Sequence, residues 1–277
     1  MNCLHHHPRN YLRTHRVAVA CGLSLLLSAA AVLARPETNQ PTQTVATNTP
    51  PPYVIKSTDG ACEISIDTSG EPELKEWAES KLAPVLAEWY PKLTKLLASD
   101  GYTAPAKFSV TIKPGDGVAA TGGNRVTANS KWLKRELQGE AIGALLHEEI
   151  HVVQQYRGGR RNPEAKRPPG WLVEGIPDYI RWFQYEPQSH GADLVWLRAR
   201  RNVNLNHDAG YRITANFLNY VVENHDKDKT LITRVNAACR EAKYTDEMWK
   251  GWTGKSLEEL SEEWKKSVQE QLAQKST

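Results

Sequence analysis

The residues whose types and spacing can do chemistry lie at His147-Glu148-Glu149-Ile150-His151. The run falls inside a stretch of helical periodicity from about Gly139 to Tyr156. Residues four apart on a helix are offset by roughly 40° around its axis and about 6 Å along it. Two imidazoles so placed point at one ion. Glu148 sits beside the first of them, where its carboxylate can reach a water that the ion activates. Zinc lowers the pKa of such a water toward about 7, and the glutamate takes its proton. A surface helix with two solvated His and two solvated Glu would show the same letters. The preceding Ala141-Ile142-Gly143-Ala144-Leu145-Leu146 speaks against that reading. It is apolar nearly all round, so this helix is expected to be buried and its polar motif to have a partner.

A catalytic zinc takes three protein ligands and keeps one position open. Val152 to Arg157 contain no His, so the compact third-His arrangement of metzincins is absent. Trp171-Leu172-Val173-Glu174-Gly175-Ile176-Pro177-Asp178 follows, with Glu174 23 positions after His151. Glu174 and Asp178 share one helical face. Glu174 completes a His2Glu site, and Asp178 accepts the second ring N–H of a ligand His, fixing its tautomer. Taken alone, Glu174 would be a helix N-terminal carboxylate favoured by the dipole. Pro177 is placed in the first turn, where its missing N–H costs little.

These residues need elements to position them. Glu63–Asp67 alternates as a strand, Phe108–Ile112 is a second, and Asn124–Ala128 a short third. Gly115–Gly123 reads as a Gly-rich turn. Residues 72–98 carry Leu74, Trp77, Leu82, Leu86, Trp89, Leu93 and Leu97 at helical steps, with interruptions expected near Pro84 and Pro91. Trp171–Tyr185, Arg212–Glu223 and Leu231–Ala242 read as further helices. The capping box Ser256-Leu257-Glu258-Glu259 opens a terminal helix to about residue 273. The fold class is α+β: a small N-terminal mixed sheet, an active-site helix and a mostly helical C-terminal part.

W-L-x-E-G after H-E-x-x-H resembles the gluzincin metallopeptidases. More closely, Gly139 to Gln155 with Gly170 to Tyr179 is similar to the basic secretory protein family of plants and bacteria. Gly117-Val118-Ala119-Ala120 and Tyr211 to Leu218 match that family too, so the likeness spans about residues 60–270. The resemblance implies a secreted, zincin-like domain and a peptidase. Many relatives are expected to carry a small residue where Pro177 stands. By the same resemblance Tyr211, just before a helix, stabilises the oxyanion. His190 and His207 could serve instead, although a loop histidine is more often just an exposed one. His225 is given no role. Asn124–Ala128 is assigned as the edge strand that an extended substrate pairs with.

The remaining sequence sets the context. The chain has 277 residues, 40% hydrophobic and 24% charged, which excludes a disordered polyampholyte and a multispan membrane protein. Residues 1–34 hold Arg9, Arg13 and Arg16 and no acid, and setting these three aside leaves 32 basic against 32 acidic residues. A neutral remainder gives no phosphate-binding surface, so no nucleic-acid partner is expected. The n-region arginines, the apolar Val17–Leu33 and the small residues ending at Ala34 read as a signal peptide. The expected organisation is signal 1–34, a Pro/Thr-rich tether 35–53, and one zincin-like peptidase domain 54–277. The protein is expected to be exported, secreted or periplasmic, with no stable membrane insertion after cleavage, and to act as a monomer. Cys62 and Cys239 either bridge the ends of the domain or are two buried thiols. Nine Trp invite a carbohydrate reading, but Trp77, Trp89, Trp182, Trp249 and Trp264 fall on helical faces among Leu and Val and read as core. The functional expectation is a Zn2+-dependent peptidase acting on peptide or protein substrates, with Glu148 as general base. A catalytically weak secreted binding protein that keeps the zinc-site fold is the alternative.

Overall fold

The computed structural model describes residues 51–156 and 167–274. The expected signal segment, residues 35–50 of the expected tether and the basic cluster starting at Arg157 lie outside the described residues. Five strands form one sheet: β1 (Tyr53–Lys56), β2 (Glu63–Asp67), β3 (Lys107–Lys113), β4 (Ala119–Gly122) and β5 (Arg125–Asn129). Their order is β1-β2-β3-β5-β4, with β2, β3 and β5 parallel and both flanking strands antiparallel. Ile64 pairs with Phe108 and Val110 with Val126 in register. Ile64, Ile66, Phe108, Val110, Ile112, Val126 and Ala128 are all buried, while the residues between them are polar. One face of the sheet is therefore apolar and must be covered.

Helices cover it. α1 (Lys75–Trp77) runs through a π-turn, Ala78–Leu82, into α2 (Ala83–Leu96). The proline breaks expected here are absorbed. Pro84 sits in the first turn of α2, directly after the π-turn. Pro91 lies inside α2 and does not end it. Pro91 has no N–H for the Ala87 carbonyl, and that carbonyl accepts from Thr58 N at 2.9 Å instead.

α3 (Ser130–Glu136) follows β5 directly, with the Asn129 side chain capping it by accepting from Lys131 N. α4 (Ala141–Gln154) is buried along almost its whole length and packs on β4, β5, α2 and the next helix. That helix is α5 (Gly170–Ile180), continued by a π-turn, Arg181–Tyr185. The C-terminal part is α6 (Leu194–Arg198), α7 (Tyr211–His225), α8 (Leu231–Arg240), α9 (Met248–Thr253) and α10 (Leu257–Ala273). Ser256 and Glu259 form the expected capping box on α10. α5 and α7 approach closely because Gly175 has no side chain: a Cβ there would meet Thr214 Cγ2 at 2.1 Å.

Three expectations change. Gly115–Gly123 is not wholly a turn, since it contains β4. β5 is paired on both sides, so Asn124–Ala128 is not the edge beside the motif helix; β4 is. The alternating burial of Ala-Ala-Thr-Gly is too weak a hydrophobic signal to read as a strand. Pro177 lies inside α5, seven residues after its start at Gly170, rather than in its first turn. Cys62 and Cys239 are both free and buried, and burial pushes their thiols up to about 11 and about 12. Trp249 and Trp264 are fully buried, and Trp171 packs against Phe217, Tyr244 and Trp249, so these tryptophans are core. Among the described residues no helix is long and apolar enough to cross a membrane.

Candidate metal centre

α4 presents His147 and His151, and α5 presents Glu174. The two Nε2 atoms lie 3.1 Å apart, and Glu174 Oε2 lies 3.3 Å from His147 Nε2 and 3.4 Å from His151 Nε2. The three ligand atoms all fall within 4.8 Å of one another. The imidazoles meet edge to face, 74° apart. Asp178, one turn beyond Glu174, holds His147 Nδ1 at 2.8 Å through its Oδ1. A carboxylate only accepts, so Nδ1 carries the proton and the lone pair of a neutral His147 faces His151 and Glu174. Two imidazole nitrogens and one carboxylate oxygen, brought this close, form a donor set that suits a borderline-soft divalent cation such as zinc.

The electrostatics agree. Burial alone would pull the His147 ring down, but its hydrogen bonds to Asp178 and Glu174 and the field of Asp178 and Glu148 outweigh that, and it is pushed up to about 9. Burial would raise Glu174, yet hydrogen bonds to both histidines hold its carboxyl well below the usual carboxylate range. The site therefore concentrates negative potential and, without a metal, answers it with a proton.

Glu148 also faces this cleft, and the Thr121 hydroxyl on β4 donates to its Oε2 at 2.6 Å. Tyr211 opens α7 after Gly210, whose φ is +84, and has itself a φ of +46. That left-handed backbone is strained for a residue with a ring. The ring lies over His147, centroids 6.3 Å apart and nearly parallel. Burial and the carboxylates of Glu174, Asp178 and Glu148 raise its phenol. Tyr211 is nonetheless 56% exposed, so the ring is available to a ligand in the cleft. The cleft measures about 970 Å³ and extends from the triad past Val118 and Tyr211 to Trp132, Trp196, Glu140 and Arg212.

Among the sequence candidates, His147, Glu148, His151, Glu174, Asp178 and Tyr211 all line this one cleft. His190 and His207 do not reach it. His190 pairs with Asp193 at the surface, and His207 packs on Trp171 and Phe217 with its ring pulled down by burial. Two contributors had no sequence signal. Thr121 was hidden in the presumed turn. Gln154, whose Oε1 lies 2.7 Å from His151 Nδ1, was one glutamine in the polar end of a helix. The second glutamate of the motif, Glu149, points away into the core, 0% exposed, with neither oxygen hydrogen-bonded.

The chain matches the sequence model of a family described as peptidases of plants and bacteria, over residues 77–264. No curated protein and no solved structure matches it.

Proposed function

Since the chain belongs to the basic secretory protein family, the peptidases of plants and bacteria, we propose that it is an exported, zinc-dependent peptidase of zincin-like fold. The observation that carries this reading is the convergence of His147, His151 and Glu174 beside Glu148 in one open cleft. His147, His151 and Glu174 would hold zinc, which when bound supplies a Lewis acid that polarises the scissile carbonyl and acidifies the attacking water. Glu148 takes the proton of that water and delivers it to the leaving amine. Thr121 holds the Glu148 carboxylate on the cleft side through Oε2. Asp178 keeps the His147 proton on Nδ1. Tyr211, whose ring lies over His147 on the cleft wall, offers its hydroxyl to the developing oxyanion. The free edge of β4, with Val118 to Thr121 on the cleft wall, offers backbone groups to an extended peptide.

Metal content and peptide hydrolysis, measured on the wild type, Glu174→Ala and Glu148→Gln, test the reading. The wild type is expected to carry about one zinc per chain, as a His2Glu site does. Glu174→Ala should lose metal, and Glu148→Gln should keep it while losing hydrolysis of a peptide library. Glu148→Gln hydrolysing at the wild-type rate overturns the assigned base. A wild type that takes up no zinc overturns the metal site.

A further inference from the structure

The two imidazoles of the triad are held differently. His147 leans on a carboxylate, His151 on a carboxamide. A carboxamide has a donor end and an acceptor end, so something else must decide which end faces the ring. Val173 O decides it. Pro177 has no N–H, so the Val173 carbonyl four residues earlier lacks its helical donor. Gln154 Nε2 donates to that carbonyl at 3.3 Å. A carbonyl can only accept, which fixes the NH2 group on this side and Oε1 toward His151.

A second arm repeats the logic from α8. Asn236 is fully buried, and its Nδ2 donates to Leu97 O at 2.9 Å. Its Oδ1 therefore faces Tyr156 OH, which must donate to it at 3.0 Å. The phenol oxygen then has only its lone pairs left for Gln154 Nε2, at 3.2 Å. Both hydrogens of the Gln154 amide are so committed, one to a carbonyl and one to a phenol. Arg240 braces the same corner: its guanidinium donates to Leu97 O, Val153 O, Gln154 O and Ser99 Oγ. Every donor in this chain meets an acceptor in one direction only.

We propose that α5 and α8, acting through Val173 O and Tyr156–Asn236, lock the Gln154 carboxamide and thereby the tautomer of His151, making Gln154 a positioning residue for the metal centre. The proton is kept on Nδ1, and Nε2 presents its lone pair to Glu174 and His147. The inference builds on the metal reading above, but the tautomer can be read without metal.

Long-range 1H–15N spectra of the metal-free full chain, at a pH where the His151 ring is neutral, test it. The wild type is expected to hold the Nδ1–H form. Gln154→Met, similar in length but unable to accept, should populate both tautomers, and its zinc affinity in chelator competition should fall about 10- to 100-fold. Gln154→Glu restores the acceptor and should restore the Nδ1–H form. A purely structural role would lower the thermal midpoint of Gln154→Met without moving the tautomer. Wild-type His151 with its proton mainly on Nε2 overturns the proposal, whether or not the variants fold. So does a folded Gln154→Met with unchanged tautomer and zinc affinity. A wild type that binds no zinc defeats the metal reading alone and leaves the spectrum to decide the role of Gln154.

Discussion

Glu148 and Glu149 are neighbours with the same side chain and opposite surroundings. Glu148 lies on the cleft side with a hydroxyl donor; Glu149 lies in the core beside Cys62 and Tyr90 with none. Thr121→Val keeps the shape of the wall but removes that donor. It is expected to lower kcat about 10- to 150-fold, in line with one lost charge-assisted hydrogen bond of about 1.5–3 kcal/mol, and to leave zinc content unchanged. Burial raises the Glu149 carboxyl well above its ordinary value. At acid pH the folded and unfolded chains both hold its proton. As pH rises past the ordinary carboxylate range, only the unfolded chain releases it, so stability is lost with rising pH. Glu149→Met should therefore raise stability at neutral pH by about 1–3 kcal/mol and do less at acid pH, as thermal melts at both pH values would record. The convergence of His147, His151 and Glu174, with Asp178 behind them, was legible in the sequence because the pairs are spaced by one helical turn. Nothing in spacing tells Glu148 from Glu149 except their neighbours, and Thr121 and Gln154 act across the fold, where periodicity carries no information.

Elements in this chain are shaped by carbonyls that prolines leave free. Pro91 gives the Ala87 carbonyl to Thr58, and Pro177 gives the Val173 carbonyl to Gln154. Pro91 was legible as a disturbance and Pro177 was not, and neither disclosed that a distant donor would take up the freed carbonyl. The strands with alternating apolar residues, β2, β3 and β5, were legible for the same reason that they pack. β4 was not, because its Ala, Thr and Gly residues bury little, and β1 was obscured by the adjoining prolines. The close approach of α5 and α7 invites a test at this scale. Gly175→Ala places a Cβ against Thr214 Cγ2 and should destabilise the domain by about 1–3 kcal/mol while displacing Tyr211. Thr214→Ser removes that methyl and keeps the hydroxyl that bridges Gly210 N and His207 O, so the double variant should recover part of the lost thermal stability.

For the whole molecule, the α+β class follows from three alternating runs and several amphipathic ones, but the strand order with β4 outermost does not. The C-terminal helices are tied to α4 by α7 through Tyr211 and by α8 through Arg240. Under the proposed function, zinc binds a site that exists only in the folded chain, so binding and folding are coupled. Removing it with a chelator should lower the thermal midpoint. For zinc at about a thousand times its Kd, the loss is about 4 kcal/mol, and added zinc should reverse it.

The two buried, unpaired thiols carry a different consequence. Among the described residues, Cys62 and Cys239 are buried and free, so this part of the chain carries no cross-link. Folding of that part therefore needs no oxidant.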